Sequence, residues 1–394
     1  MQPNASNVSG PKIVWLGLLV MLASQQLHSR AASGDPIADF ESMRKSQQRN
    51  IEQSIAGMPP LGGRGELALG DIFRIRMEGL DLLVRTPFDS TLVPGYTRAR
   101  VPEFAQPVMV RIVGGADRKA HAPGEAVVPD ELLFTAADYS KPGQITSLSL
   151  SQSGSVIFSL SQTQTAPSGS RTIQFLIQKV PSLPGGGGVT LIVNESGFRP
   201  DLPHSSLTLG ATDCATFLRR HPRAVGQYLM PLLAELGQDG VFAPDPLLAM
   251  QVFPEHFSPD PAASRRVEAI LPALDAGNYH RRDDALAQLR QMGKDAAKVM
   301  VFLDRSTFTP EQNARIDQAL TPAGLIPRAE ADRLRRDREF LLNCLYCDDP
   351  ITRRSALAEI KSLTGRSFEL PENLSPSERI AAINELRAKL EDKE

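Results

Sequence analysis

Two thiols set two residues apart, Cys344-Leu345-Tyr346-Cys347, come nearest in this chain to a recognisable chemistry. In an oxidising compartment such a pair could close a disulfide or exchange one. Redox pairs of the thioredoxin kind, however, open a helix behind a strand, whereas this pair closes a helical segment. No His follows, which excludes covalent haem attachment. Two thiols are also only half of a tetrahedral zinc site, and nothing recommends the distant Cys214 and His280 as the other half. The pair therefore reads as two buried, small, apolar side chains.

Other groupings lead to the same place. Ser42-Met43-Arg44-Lys45 has the S-x-x-K form of penicillin-recognising enzymes, but it lies in a polar segment and no S-D-N or K-T-G stretch follows. The chain has no G-x-S-x-G and no H-E-x-x-H. His121, His204, His221, His256 and His280 each stand alone in their segments. Gly185 to Gly188 lacks the Lys and Ser/Thr of a phosphate loop and reads as a flexible connection. Arg333, Arg335, Arg336 and Arg338 alternate with Asp332, Asp337 and Glu339, the pattern of a solvated, salt-laced helix face. Asn194-Glu195-Ser196 is a glycosylation sequon. No residue is assigned a catalytic, cofactor-binding or metal-ligating role, and no cofactor is expected.

The elements that would position any such group begin with an address. Lys12 precedes an unbroken apolar run, Ile13 to Ala23, and Ser29-Arg30-Ala31-Ala32-Ser33 offers small residues at the spacing a signal peptidase reads. A bilayer-spanning helix needs about 20 apolar residues. The run is roughly half that, so residues 1–33 read as a cleaved signal peptide, and the mature chain is not expected to span a membrane. Their removal takes away Lys12 and Arg30 and no acid, moving the formal net charge from −2 to about −4. That mild acidity leaves no footprint for nucleic acid. Three Cys do not make a disulfide scaffold.

Residues 34–65 form a polar tether with a thin helical stripe of Phe40, Met43, Ile51 and Ile55, ended by Pro59-Pro60-Leu61-Gly62-Gly63. Over 66–200 short apolar segments recur between Gly, Pro, Asp and Ser. Strands are predicted at Ile72 to Met77, Leu80 to Val84, Val108 to Val113, Leu132 to Thr135, Gln144 to Ser151, Val156 to Ser161, Thr172 to Val180 and Val189 to Val193. Gln152-Ser153-Gly154-Ser155 makes a hairpin of the fifth and sixth. This pattern predicts a β-sandwich-like module with Ser-rich wet faces. The border, with Pro200, Pro203 and Gly210, is placed at 197–212. From Thr212 the period is helical, first as a connector over 211–260, where Pro231 should kink a helix. Thr309-Pro310-Glu311-Gln312 and Ser375-Pro376-Ser377-Glu378 are capping-box starts.

The segment 261–394 repeats itself. Arg282-Asp283-Asp284-Ala285-Leu286-Ala287-Gln288-Leu289-Arg290-Gln291-Met292 matches Arg353-Arg354-Ser355-Ala356-Leu357-Ala358-Glu359-Ile360-Lys361-Ser362-Leu363 at an offset of 71 residues. The spacing puts Ala356, Ile360 and Leu363 on one helix face. An acidic turn, an Arg and then Ala-Leu-x-x-[Leu/Ile] resembles the HEAT-like repeat, over about residues 260–394, in the form met in exported bacterial proteins of unassigned role. The resemblance implies a short stack of helix pairs. It also implies close approach at the Ala and pairing of Asp with Arg between units, here Asp349 with Arg353 and Asp275 with Arg282. The fold expected is thus multidomain, all-β plus all-α. The function expected is that of an exported, non-enzymatic interaction or structural protein whose helical stack binds a protein partner. The alternative is an exported hydrolase or glycan-binding protein with its site in loops of the β-module.

N-terminal sequencing of the mature protein tests the address. A start between residues 31 and 34 is expected; recovery of intact Met1 from the envelope fraction would refute cleavage.

Overall fold

The computed structural model describes residues 36–61, 66–87, 95–102, 104–114, 127–179, 187–197 and 204–391. The segment read as a signal peptide, His121 and the connection through Gly185 and Gly186 lie outside them. The chain forms two compact units, one ending at Gln238 and the other beginning at Asp239.

The first unit holds strands β1 (Arg74–Glu78), β2 (Asp81–Arg85), β3 (Tyr96–Ala99), β4 (Val108–Val113), β5 (Glu131–Asp138), β6 (Ile145–Ser153), β7 (Ile157–Ala166), β8 (Gly169–Lys179), β9 (Gly187–Gly197) and β10 (His204–Ala211). β3 to β10 make one antiparallel sheet in chain order, and β1 with β2 make a separate ribbon. Among the described residues the strands therefore do not divide into two sheets of similar size. Eight of the strands overlap the predicted segments; β3 and β10 were not foreseen. β10 occupies the border expected at 197–212, where Pro and Gly signals concealed an eight-residue ladder with β9.

Alternation explains the sheet. Val110, Phe134, Leu150, Leu160, Phe175, Leu191 and their same-face neighbours are buried, while the intervening positions of β6 and β7 are mostly Ser and Thr. Registers carry the same face from strand to strand: Val110 faces Phe134, Phe134 faces Leu150, and Leu150 faces Leu160. Gly187, at φ +117°, admits no side chain, because a Cβ there would lie 2.0 Å from the Gln178 carbonyl oxygen.

The apolar face is covered by the ribbon and by helices. The Gln152 side chain accepts from Val84 N at 2.5 Å and donates to Val84 O at 3.1 Å, standing in for a neighbouring strand. Phe73 meets Phe134 edge-on, with centroids 5.2 Å apart. Helix α1 (Pro36–Ala56) takes the opposite face near β3 to β6. Its Phe40 is fully buried against Tyr139 and Ile145, flanked by Met43, Ile51 and Ala137. Arg44 donates to the Tyr139 carbonyl and Arg98 to that of Ala56. The thin stripe read as a tether is a docking edge.

After β10, Asp213 caps helix α2 (Cys214–Arg220) by accepting from Thr216 N at 2.7 Å. The next helical stretch, α3, runs through Pro222–Ala224, a π turn at Val225–Leu229 and Met230–Glu235. Pro231 has no N–H to give and its ring crowds the carbonyl four residues back, so the helix widens there. Phe217 of α2 packs edge-on against Phe175, at 5.5 Å. The first half of the expected connector thus belongs to the sheet unit.

The second unit is helical: α4 (Pro246–Val252), α5 (Pro261–Ile270), α6 (Tyr279–Met292), α7 (Lys294–Met300), α8 (Pro310–Leu320), α9 (Arg328–Leu334), α10 (Arg338–Cys344), α11 (Pro350–Thr364) and α12 (Pro376–Glu391). Both capping boxes form, Thr309 with Gln312 and Ser375 with Glu378. α4 to α8 share one core that includes Leu247, Val267, Leu289, Met300 and Ile316.

Phe40→Ala should lower the stability of the first unit by about 3 kcal/mol, and Ser42→Ala on the exposed side of α1 by less than about 0.5 kcal/mol. Urea midpoints decide; equal, small shifts would show that α1 does not hold the sheet.

Candidate functional site

The internal repeat is the feature from which a site can be built. In each copy a helical segment ends, a turn follows, and a polar residue caps the next helix. Asn278 Oδ1 accepts from His280 N at 2.9 Å, and Asp349 accepts from Ile351 N and Thr352 N at 3.2 and 2.9 Å. Four residues on, an Arg reaches back over the turn. Arg353 Nη1 donates to the carbonyls of Cys347 and Asp348 at 2.7 and 2.8 Å. Arg282 Nη1 does the same to Ala276 and Gly277, at 2.8 and 3.3 Å. Cap, Arg and both carbonyls keep the same 71-residue offset.

This geometry revises what the Asp and Arg of the motif do. Asp349 spends its oxygens on the first turn of its own helix, and both guanidinium groups go to carbonyls of their own turn. The counterpart of Asp349 is Asn278, not Asp275, because the cap must stand directly before the helix. Ala285 and Ala356, on the helices that follow these turns, are both buried, as are Leu289 and Ile360. Leu363, expected on the same face, is 50% exposed. Glu359 of the same helix is bound to Arg335, which also holds Glu255.

Cys344 is fully buried and Cys347 partly, and both are free. Burial pushes the Cys344 thiol up and that of Cys347 up to about 12. A reactive cysteine needs the opposite shift. Cys214, buried on the other unit, is likewise pushed up to about 12 by desolvation.

The remaining singled-out residues stay apart. His221 lies tilted against the Phe217 ring, His256 lies 3.7 Å from Glu255, and His280 lies beside Tyr279. His204 opens β10. Ser42 and Lys45 are both exposed on α1. The Asn194 sequon lies within β9, where Asn194 accepts from Ser206 Oγ at 2.8 Å. In the arginine-rich stretch Arg333 pairs with Glu330 and Asp337, and Glu339 pairs with Arg387. Among the described residues no three His, Cys, Asp or Glu gather in a metal-binding group.

Two features were not legible in the sequence. Glu235 of α3 meets the amide of Gln162 on the apolar side of the sheet, and burial holds its carboxyl above the usual range against the lowering effect of that hydrogen bond. A shallow groove of about 220 Å³ lies at one end of the sheet, lined by Leu80, Asp81, Ile177, Lys179, Gly187 and Thr212 among others. Lys179 and Asp81 pair at 2.6 Å, and Asp213, which also lines the groove, is engaged as the cap of α2. Neither could be found from spacing, since each joins residues far apart in the chain.

No helix among the described residues is long and apolar enough to cross a membrane. No family model matches the chain, and comparison with curated proteins and with solved structures gives no match either.

If the clasped turn and the small buried residue after it form one unit, both should be costly to change. Ala356→Leu should destabilise by roughly 1–3 kcal/mol through overpacking. Arg353→Met should cost a similar, roughly 1–3 kcal/mol, by stranding two carbonyls. Chemical denaturation measures both; shifts below about 0.5 kcal/mol would show the turn to be incidental.

Proposed function

We propose that this chain is an exported, non-enzymatic interaction protein whose helical unit is a short HEAT-like stack that binds a protein partner. The observation that carries the reading is the duplicated turn, in which cap, guanidinium clasp and buried Ala recur at one offset. Units repeated in this way stack into extended surfaces rather than closed pockets. The sheet unit then serves as a sandwich-like scaffold, with the ribbon and helices α2 and α3 in place of a second sheet. Export follows from the N-terminal apolar run and its small-residue patch.

Tyr279 supports the reading at the level of a single side chain. It begins α6, is 60% exposed, and has the Arg282 guanidinium over its ring at 5.9 Å. Tyr is among the residue types that most often anchor protein interfaces, and Tyr279 presents one that is exposed.

Cross-linking of the full chain in intact cells tests this. Partner cross-links should fall on residues after Asp239, and Tyr279→Ala should weaken capture by about 2 kcal/mol while leaving the melting temperature unchanged. Cross-links confined to the sheet unit, or capture indifferent to Tyr279, would refute the proposal.

A further inference from the structure

Away from α1, the face of the sheet opposite its apolar core has an unusual chemistry. Follow the registers from β6 to β10 on that face. One row runs Ser149, Ser161, Gln174, Ile192, Thr208; the next runs Ser147, Thr163, Thr172, Asn194, Ser206. None of the residues that β6 to β10 place on this face is Asp, Glu, Lys or Arg. A wet sheet face ordinarily carries such charges, which keep it soluble and unpaired. Short hydroxyls stand here instead, and they bond across strands: Ser149 with Ser161 at 2.8 Å, Thr163 with Thr172 at 3.2 Å, Ser170 with Ser196 at 3.0 Å.

Three aliphatic side chains cross this field on a diagonal. Ile157 on β7, Leu176 on β8 and Ile192 on β9 each lie one strand and one row from the last. With strands about 4.8 Å apart and same-face residues about 6.6 Å apart, each step is roughly 8 Å. The diagonal is a narrow apolar track with hydroxyl and amide groups on both sides.

We infer that this face binds a neutral polysaccharide lying along the Ile157–Leu176–Ile192 diagonal. A sugar ring is apolar on its C–H faces and hydroxylated around its rim, which matches a track of that width. Each Ser or Thr hydroxyl can both donate and accept, so lone pairs left over from the cross-strand bonds suit sugar hydroxyls of either sense. Short side chains lose little rotamer entropy on binding, and no ion need be stripped of water. A second copy of this chain fits less well. Dry face-to-face packing would bury the spare lone pairs, whereas sugar hydroxyls replace their water. Individual contacts are weak, so affinity comes from several sugars engaged together.

The test is calorimetric titration of the full mature chain with chitohexaose and with cellohexaose, using a heparin hexasaccharide as the charged comparison. Ser161→Glu and Thr172→Glu each place an ion on the track side, in different rows; Ser42→Glu on α1 is the control. At least one neutral hexamer should bind, and either track variant should weaken it roughly tenfold or more while the control leaves it unchanged. If one variant fails to melt cooperatively, the other decides. The inference is overturned if neither neutral hexamer binds, if heparin binds more tightly than both, or if binding survives both track variants. It is also overturned if the chain sediments as a dimer that those variants dissolve. Partner cross-links to the helical unit are read separately, so either proposal can fail alone.

Discussion

From β4 to β9 every strand alternates a side chain that must leave water with one that stays in it, and the pairing is in register throughout. Phe134, Leu150, Leu160, Phe175 and Leu191 form one continuous row because each directly faces the next. A slip of one residue at any pair would carry all later strands to the wrong face. Much else in the first unit follows from this constraint. The apolar side needs a cover, which the ribbon, Phe73 and α2 supply. Near β5 and β6 the other side is apolar enough, at Ala137 and Ile145, to hold Phe40 of α1. Beyond them it turns to hydroxyls, and no described element of this unit packs there.

The ribbon shows how such a cover is secured. Two strands alone are marginal, and β2 would leave backbone groups unpaired over an apolar surface. Gln152, on the buried side of β6, answers both the N–H and the carbonyl of Val84. An apolar residue at that position would match the surrounding pattern and strand both groups, at about 1–3 kcal/mol each.

In the helical unit the corresponding constraint is the end of a helix, where carbonyls lack partners. The two clasping arginines satisfy these carbonyls from the following helix, which fixes the angle at which it leaves the turn. Ala285 and Ala356, three residues after each clasping arginine, are both buried. The same arrangement places the Cys347 thiol. Cys347 gives its carbonyl to Arg353, and its sulfur is spaced 3.9 Å from the Pro244 carbonyl. The pair that looked most like chemistry in the sequence is part of a turn.

Period and local hydrogen bonding were legible in the sequence: the strands from β4 to β9, the turn to a helical period at Thr212, the two capping boxes, the disturbance at Pro231 and the 71-residue repeat. All but the repeat depend on residues within a few positions of one another, so spacing alone carries them, and the repeat is read by comparing two copies of one such local pattern. Tertiary structure decided what depends on partners far along the chain. It joined β3 to β10 in one sheet and set β1 and β2 apart as a ribbon, where alternation would equally allow two sheets of similar size, because alternation shows that one face is buried but not by what. It drew β10 out of a Pro- and Gly-marked border, because pairing with β9 outweighs weak local preference. It docked the presumed tether through Phe40, and it turned Arg282 and Arg353 from ion-pair partners into clasps on carbonyls. Charge complementarity suggests an acid for each guanidinium, but only the folded turn brings two carbonyls within its reach.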